Sequence, residues 1–153
     1  MSRKMSREFS MQMLFQMEIQ KEDRGEQLLT AFEESESEFS QKDRAYIENV
    51  VSGVFENLPG IDGLIEKNAK GWKLQRMSRI DLSILRLCLY EIMYRDDIPF
   101  TVSVNEAVEL AKKYGTEDSA SFINGILSNA SPDAQNPPDA AGESGEGEGE
   151  GKS

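Results

Sequence analysis

Three cations open the chain within five residues. Arg3, Lys4 and Arg7 lie in RKMSREFSMQMLFQMEIQ, a stretch that reads as a helix over 3–20 with Ser2 or Ser6 as its cap. Cations at a helix N-terminus oppose the macrodipole, whose positive end lies there. A local penalty repeated three times hints at a ligand. A solvated, frayed helix end with incidental charges would look the same, and at this level both readings stand. Little else in the sequence offers chemistry. There is no histidine, which removes the commonest general base, the commonest metal ligand and every imidazole-dependent triad. Cys88 is the sole cysteine and sits in an apolar run. Neither an intramolecular disulfide nor a thiolate zinc site can form, so its expected role is a small core hydrophobe. No catalytic residue, metal or cofactor is expected.

The element that must carry any such site is RIDLSILRLCLYEIMYR, residues 79–95. Apolar residues at 80, 82, 84, 85, 87, 88, 89, 92 and 93 circle a helical axis rather than marking one stripe. A helix apolar nearly all round is buried in protein or in a membrane. Asp81, Arg86, Glu91 and Arg95 interrupt this one, and it is shorter than the roughly 20 apolar residues of a span. It therefore reads as the buried axle of a small helical domain. Arg86, Glu91 and Glu106 are expected to form a partly buried ion network holding it to its neighbours.

More polar helices are expected around the axle. Residues 24–34 make a short one through Leu28, Leu29 and Phe32, followed by a solvated acidic connector at 33–38. Ser40 and Asp43 form a variant capping box for a helix through Tyr46, Ile47, Val50, Val51, Val54, Phe55 and Leu58, which Pro59-Gly60 ends. Ile61, Leu64 and Ile65 share a brief helix ending near Gly71, and Trp72 and Leu74 pack in the connection to the axle. Ser78 caps the axle with Asp81 at its third position. The dipeptide Ile98-Pro99 stops it. Ser103 and Glu106 then read as a capping box for a helix that Gly115 ends in a left-handed turn, with Lys112 and Lys113 read first as stabilisers of its last turn and second as phosphate contacts. Thr116 caps the last helix, where Gly125 suggests close helix–helix approach. The result is an all-α bundle of about seven helices.

Residues 1–131 are expected to form one domain, and 132–153 a disordered acidic Gly/Glu-rich tail with too few apolar residues to build a core. That tail holds six acids and one lysine, so −5 of the net charge of −11 lies there and −6 on residues 1–131. A negative body opposes indiscriminate binding to nucleic acid or anionic membrane but permits a local basic patch. With no signal-peptide core or apolar span, the expected location is cytoplasmic, away from the membrane.

The order of motifs across about 3–130 resembles the NusB family of bacterial transcription antitermination factors. The matching pieces are Ile84-Leu85-Arg86, Tyr90-Glu91, Ile98-Pro99, Asn105-Glu106-Ala107, Glu109-Leu110-Ala111-Lys112, and Phe122 with Asn124-Gly125-Ile126-Leu127. The opening helix SREFSMQMLFQMEI is similar to the family's own. The resemblance implies two packed helical subdomains and no enzymatic activity. It implies binding to boxA-type single-stranded RNA of ribosomal RNA leader transcripts. The partner would be NusE, a small-subunit ribosomal protein, within an antitermination complex on RNA polymerase. By position it assigns RNA binding to Arg3, Lys4, Arg7, Phe15, Asp118 and Phe122, and NusE binding to Asp81 and Ile84 in the first turns of the axle. Met5 and Ser6 interrupt a basic run that is often longer in the family.

Single-stranded RNA is bound by cations on phosphates and by flat side chains on unstacked bases. Three phosphate contacts give a log–log salt slope of only about −2, at roughly 0.7 per contact, so a partner that widens the site is expected. Two rival readings remain. A helical protein-interaction module without RNA accounts for the negative charge. An RNA cytosine methyltransferase, in some of which a similar helical domain precedes the catalytic one, needs an α/β cofactor domain and a reactive cysteine.

Overall fold

A computed structural model describes residues 3–21, 23–35 and 39–135. Seven α-helices follow one another: α1 (Arg3–Ile19), α2 (Arg24–Glu34), α3 (Gln41–Glu56), α4 (Leu58–Asn68), α5 (Arg79–Tyr94), α6 (Phe100–Tyr114) and α7 (Ser119–Gln135). A single 3-10 turn, Leu74–Arg76, lies between α4 and α5, and no strand occurs among the described residues. None of the helices described is long and apolar enough to cross a membrane.

α5 is the axle. Every residue from Asp81 to Glu91 is buried, and the helix packs against α1, α3, α4, α6 and α7. Its polar interruptions are accommodated one by one. Ser78 Oγ accepts from the Asp81 backbone N–H at 3.0 Å, the cap expected from sequence. Arg86 donates to both Asp62 oxygens on α4, at 2.9 and 2.8 Å, and to Glu18 on α1 at 2.8 Å. Burial works against its charge, but the bonds to Asp62 and Glu18 outweigh that and hold its pKa above the ordinary value. Cys88 is buried, with its thiol on the Ser103 carbonyl at 3.3 Å, and burial pushes its pKa well up.

The Ser40–Asp43 capping box of α3 forms as expected, and Asp23 caps α2. Phe9, Phe32 and Phe39 pin α2 to α1, with ring centroids 4.9 to 6.1 Å apart. Other local expectations are corrected. Pro59 does not end α3 but stands in the first turn of α4, where its missing N–H has no helical acceptor to lose. α6 starts at Phe100, so Ser103 lies inside the helix, and its hydroxyl goes to Glu91 at 2.7 Å instead of capping. Gly115 ends α6 with φ −93°, not in the left-handed region; a Cβ there would strike Ser119. A Cβ on Gly125 would meet nothing, whereas one on Gly53 would run into the Tyr90 ring. The close approach that glycine permits is therefore between α3 and α5. Ser6 is inside α1 and buried; Ser2, the middle of the acidic connector (36–38) and 136–153 lie outside the described residues. Of the tail expected from 132, the first residues continue α7 to Gln135, with Ala134 buried.

Candidate nucleic-acid interface

The N-terminal cations are disposed in three different ways. Arg7 is 5% exposed. The helical period turns it inward with Ser6, Ser10 and Met11, and its Nε donates to Glu91 Oε2 at 2.9 Å. Glu91, 1% exposed, also accepts from the Tyr46 hydroxyl on α3 and the Ser103 hydroxyl on α6. Four helices thus meet at one buried carboxylate. Burial disfavours the Arg7 cation, but Glu91 more than compensates and raises its pKa. Burial, followed by the Glu91 charge, drives the Tyr46 phenol far above its ordinary value. Arg7, expected to touch RNA, is therefore a core residue, because a guanidinium already paired in a low-dielectric interior is not available to a phosphate. The expected network also splits. Glu91 pairs with Arg7, Arg86 with Asp62 and Glu18, and Glu106 with Lys4.

Arg3 is half-buried, its guanidinium 4.4 Å from the Tyr46 ring centroid, and Arg95 approaches the same ring at 5.4 Å. Arg95 also makes a two-point contact with Asp97, which lowers the Asp97 pKa to about 2. Lys4 is exposed and reaches Glu106 at 3.3 Å. One turn further along, Glu8 holds Lys113 at 2.6 Å, and Gln12 donates to the Tyr114 hydroxyl at 3.1 Å. Phe15 is half-buried on this same helical face. α1 and α6 are thus laced by exposed polar contacts, in a strip that includes Lys4 and Phe15.

Asp118 and Phe122 stand apart from that strip. Asp118 is exposed just before α7, and its carbonyl accepts from the Phe122 N–H at 3.0 Å. Phe122 packs partly on the core and meets Trp72 edge to face at 5.8 Å. No hydrogen bond, ion pair or ring contact joins Asp118 or Phe122 to Arg3, Lys4 or Phe15 among the described residues; α6 lies between them. Trp72, expected to be packed, is 50% exposed. It belongs to a run from Lys67 to Ile80 holding Lys67, Lys70, Lys73, Arg76 and Arg79 and no acid. In a chain of net charge −11, that gap in the acids was a visible signal which periodicity does not capture.

Of the two partner-facing expectations, Ile84 is corrected: it is fully buried on α5 and presents no surface. Asp81 is 9% exposed, and its Oδ1 is buried without a hydrogen-bond partner. An unpaired buried carboxylate oxygen is costly unless a donor reaches it.

The model of the NusB family matches residues 4–132. The transcription antitermination protein NusB of Ruminiclostridium cellulolyticum is 56% identical over 131 residues, covering 86% of this chain and 89% of that protein. The solved NusB of T. maritima superposes with a TM-score of 0.78 at 35% identity, covering 86% of this chain and 92% of that one. A crystal structure of the antitermination factors NusB and NusE in complex with double-stranded RNA gives 0.77 at 25% identity, covering 85% and 96%.

Proposed function

Because the chain belongs to the NusB family of transcription antitermination proteins, we propose that it acts in the cytoplasm by binding RNA together with NusE. It is a member of a binding family and not an enzyme. The RNA of this reading is the boxA-type single strand of ribosomal RNA leader transcripts, and the assembly acts on RNA polymerase to promote ribosomal RNA transcription. The observation that carries the proposal is the likeness to antitermination factors NusB and NusE solved in complex with double-stranded RNA, which covers 85% of this chain.

The surface supports a division of labour. Arg3 and Lys4 lie where phosphates can reach them, and Phe15 and Phe122 are half-exposed rings against which bases can stack. Asp118 is an acceptor suited to a base amine or a 2′-hydroxyl and repels phosphate, so its contribution is register. Arg7 holds α1 in place rather than touching RNA. Asp81 keeps its unpartnered oxygen buried, so in this reading it meets NusE only through the small part of its side chain that reaches solvent. The negative body disfavours non-specific RNA, and a basic partner restores attraction at the right place.

The test is a titration of boxA-type RNA, its scrambled counterpart and a duplex of the same sequence, each with and without NusE. The expected result is that RNA and NusE together bind much more tightly than either alone, with the single strand preferred. Binding no better than to the scrambled RNA overturns the proposal. Tighter binding of the duplex would replace the single strand as ligand. Binding of NusE that ignores RNA would support a protein-interaction module instead.

A further inference from the structure

We propose that the connection between α4 and α5 is a second subsite for single-stranded RNA: Trp72, braced by Phe122, stacks an unpaired base, while Lys70, Lys73 and Arg76 contact the adjoining phosphates. The inference rests on the RNA-binding reading above and assigns it a place on the surface that none of the N-terminal residues supplies.

The connection is a folded turn. Gly71 takes φ +81°, and the Trp72 N–H closes on the Ala69 carbonyl at 2.8 Å. The Arg76 N–H bonds to the Lys73 carbonyl at 2.9 Å and the Met77 N–H to the Leu74 carbonyl at 3.1 Å. Ala69 and Met77 are buried and Leu74 packs on the core, so the apolar residues anchor the turn while Lys70, Trp72, Lys73 and Arg76 point to solvent. The backbone that carries them, and the Trp72 ring on Phe122, are held before any ligand arrives, which lowers part of the ordering cost of binding.

Glu66 accepts from the Leu74 N–H of the turn at 3.4 Å but holds none of its cations. Lys67 is held by Asp133 at 2.8 Å and Arg79 reaches toward Glu18 at 3.7 Å. Lys70, Lys73 and Arg76 have no acidic partner among the described residues, in contrast to Lys4 on Glu106, Arg7 on Glu91 and Lys113 on Glu8. Unpaired cations beside an exposed indole match a polyanion whose bases offer flat faces, and single-strand surfaces combine these two elements. A protein partner would use the indole but gain little from three uncompensated cations unless it were acidic, whereas the NusE of the proposed function is a basic ribosomal protein.

Trp72 is the only tryptophan in the chain, so the subsite carries its own reporter. Two titrations of the full chain run in parallel with NusE present, one following Trp72 emission and the other the anisotropy of an end-labelled single-stranded boxA-type RNA. Trp72→Phe serves as the emission blank. The expected result is that RNA changes Trp72 emission with the same midpoint as the anisotropy. Trp72→Ala should weaken binding by about tenfold, within the range of one lost base stack, while Trp72→Phe retains most of it. Replacing Lys70, Lys73 and Arg76 together by alanine should reduce the log–log salt slope by about 2, with helicity unchanged by circular dichroism. Normal anisotropy binding with unaltered emission and an unaltered salt slope would overturn the subsite while leaving the RNA function intact. An emission change with NusE alone, and none on adding RNA, would assign the turn to the protein partner and overturn the proposal. Absence of RNA binding in the anisotropy itself would overturn both.

Discussion

The start of α1 and the α4–α5 turn carry similar residues, three cations and an aromatic within reach, and use them differently. At the start of α1, Arg7 is committed to Glu91 in the core, Arg3 lies on the Tyr46 ring and Lys4 bonds to Glu106. At the turn, Lys70, Lys73 and Arg76 face water without acidic partners among the described residues. A count of basic residues therefore misjudges both regions. Whether a cation can receive a phosphate depends on whether a carboxylate of the same chain already holds it, and on how much water it would have to shed. The N-terminal group is chiefly architecture, with Arg3 half-buried and only Lys4 exposed, and the turn is the reverse.

The largest effects expected from this contrast lie at the buried carboxylate. Glu91→Ala leaves the Arg7 guanidinium buried and uncompensated, a change that costs about 3–5 kcal/mol; denaturant unfolding should show a correspondingly lower midpoint. Arg7→Ala strands Glu91 in turn and should destabilise on a similar scale. If Arg7→Ala instead lost RNA affinity with no change in unfolding midpoint, Arg7 would belong with the RNA contacts and the distinction between the two regions would collapse.

A smaller effect is expected at Tyr46. Tyr46→Phe removes one donor to Glu91 and should cost roughly 1.5–3 kcal/mol, as hydrogen bonds to charged groups do. The same phenol gives a pH signature. Its pKa in the folded chain is raised by burial and then by Glu91, so its contribution is fully present below the unfolded value near 10. Above that pH the unfolded chain releases the proton and the folded chain does not, and stability declines. Unfolding curves from about pH 9 to 11 should fall less steeply for Tyr46→Phe than for the parent.

The smallest effect on stability is expected at the half-buried Arg3 and the exposed Lys4. Arg3→Ala with Lys4→Ala removes the contact with the Tyr46 ring and the exposed pair with Glu106 and should change unfolding by about 1 kcal/mol while flattening the RNA salt slope by roughly 1.4, two contacts at about 0.7 each. A large stability loss in that pair would show that the whole N-terminal group is structural.

Much of the fold could be read before any coordinates. The apolar circuit of 79–95 required a buried helix, and α5 is buried from Asp81 to Glu91. Ser40 with Asp43 and Ser78 with Asp81 cap as read, because capping is decided within four residues. The family pattern placed the chain among the NusB proteins on the strength of order and spacing alone. The failures share a cause. Ser103-Glu106 has the spacing of a capping box, but α6 begins at Phe100 and Ser103 is taken by Glu91. Ile84 was assigned to a surface it does not reach, and Trp72 to a core it only half enters.

The sequence by itself determined the helices, the axle and the family, since periodicity, caps and apolar content act along the chain over one or two turns. The tertiary structure alone decided which charges are spent and which remain. Arg7 and Glu91 are 84 residues apart, and no local pattern announces that they meet. The energy of an ion pair depends on distance and on exclusion of water, and both are set only when α1, α3, α5 and α6 close around the same carboxylate.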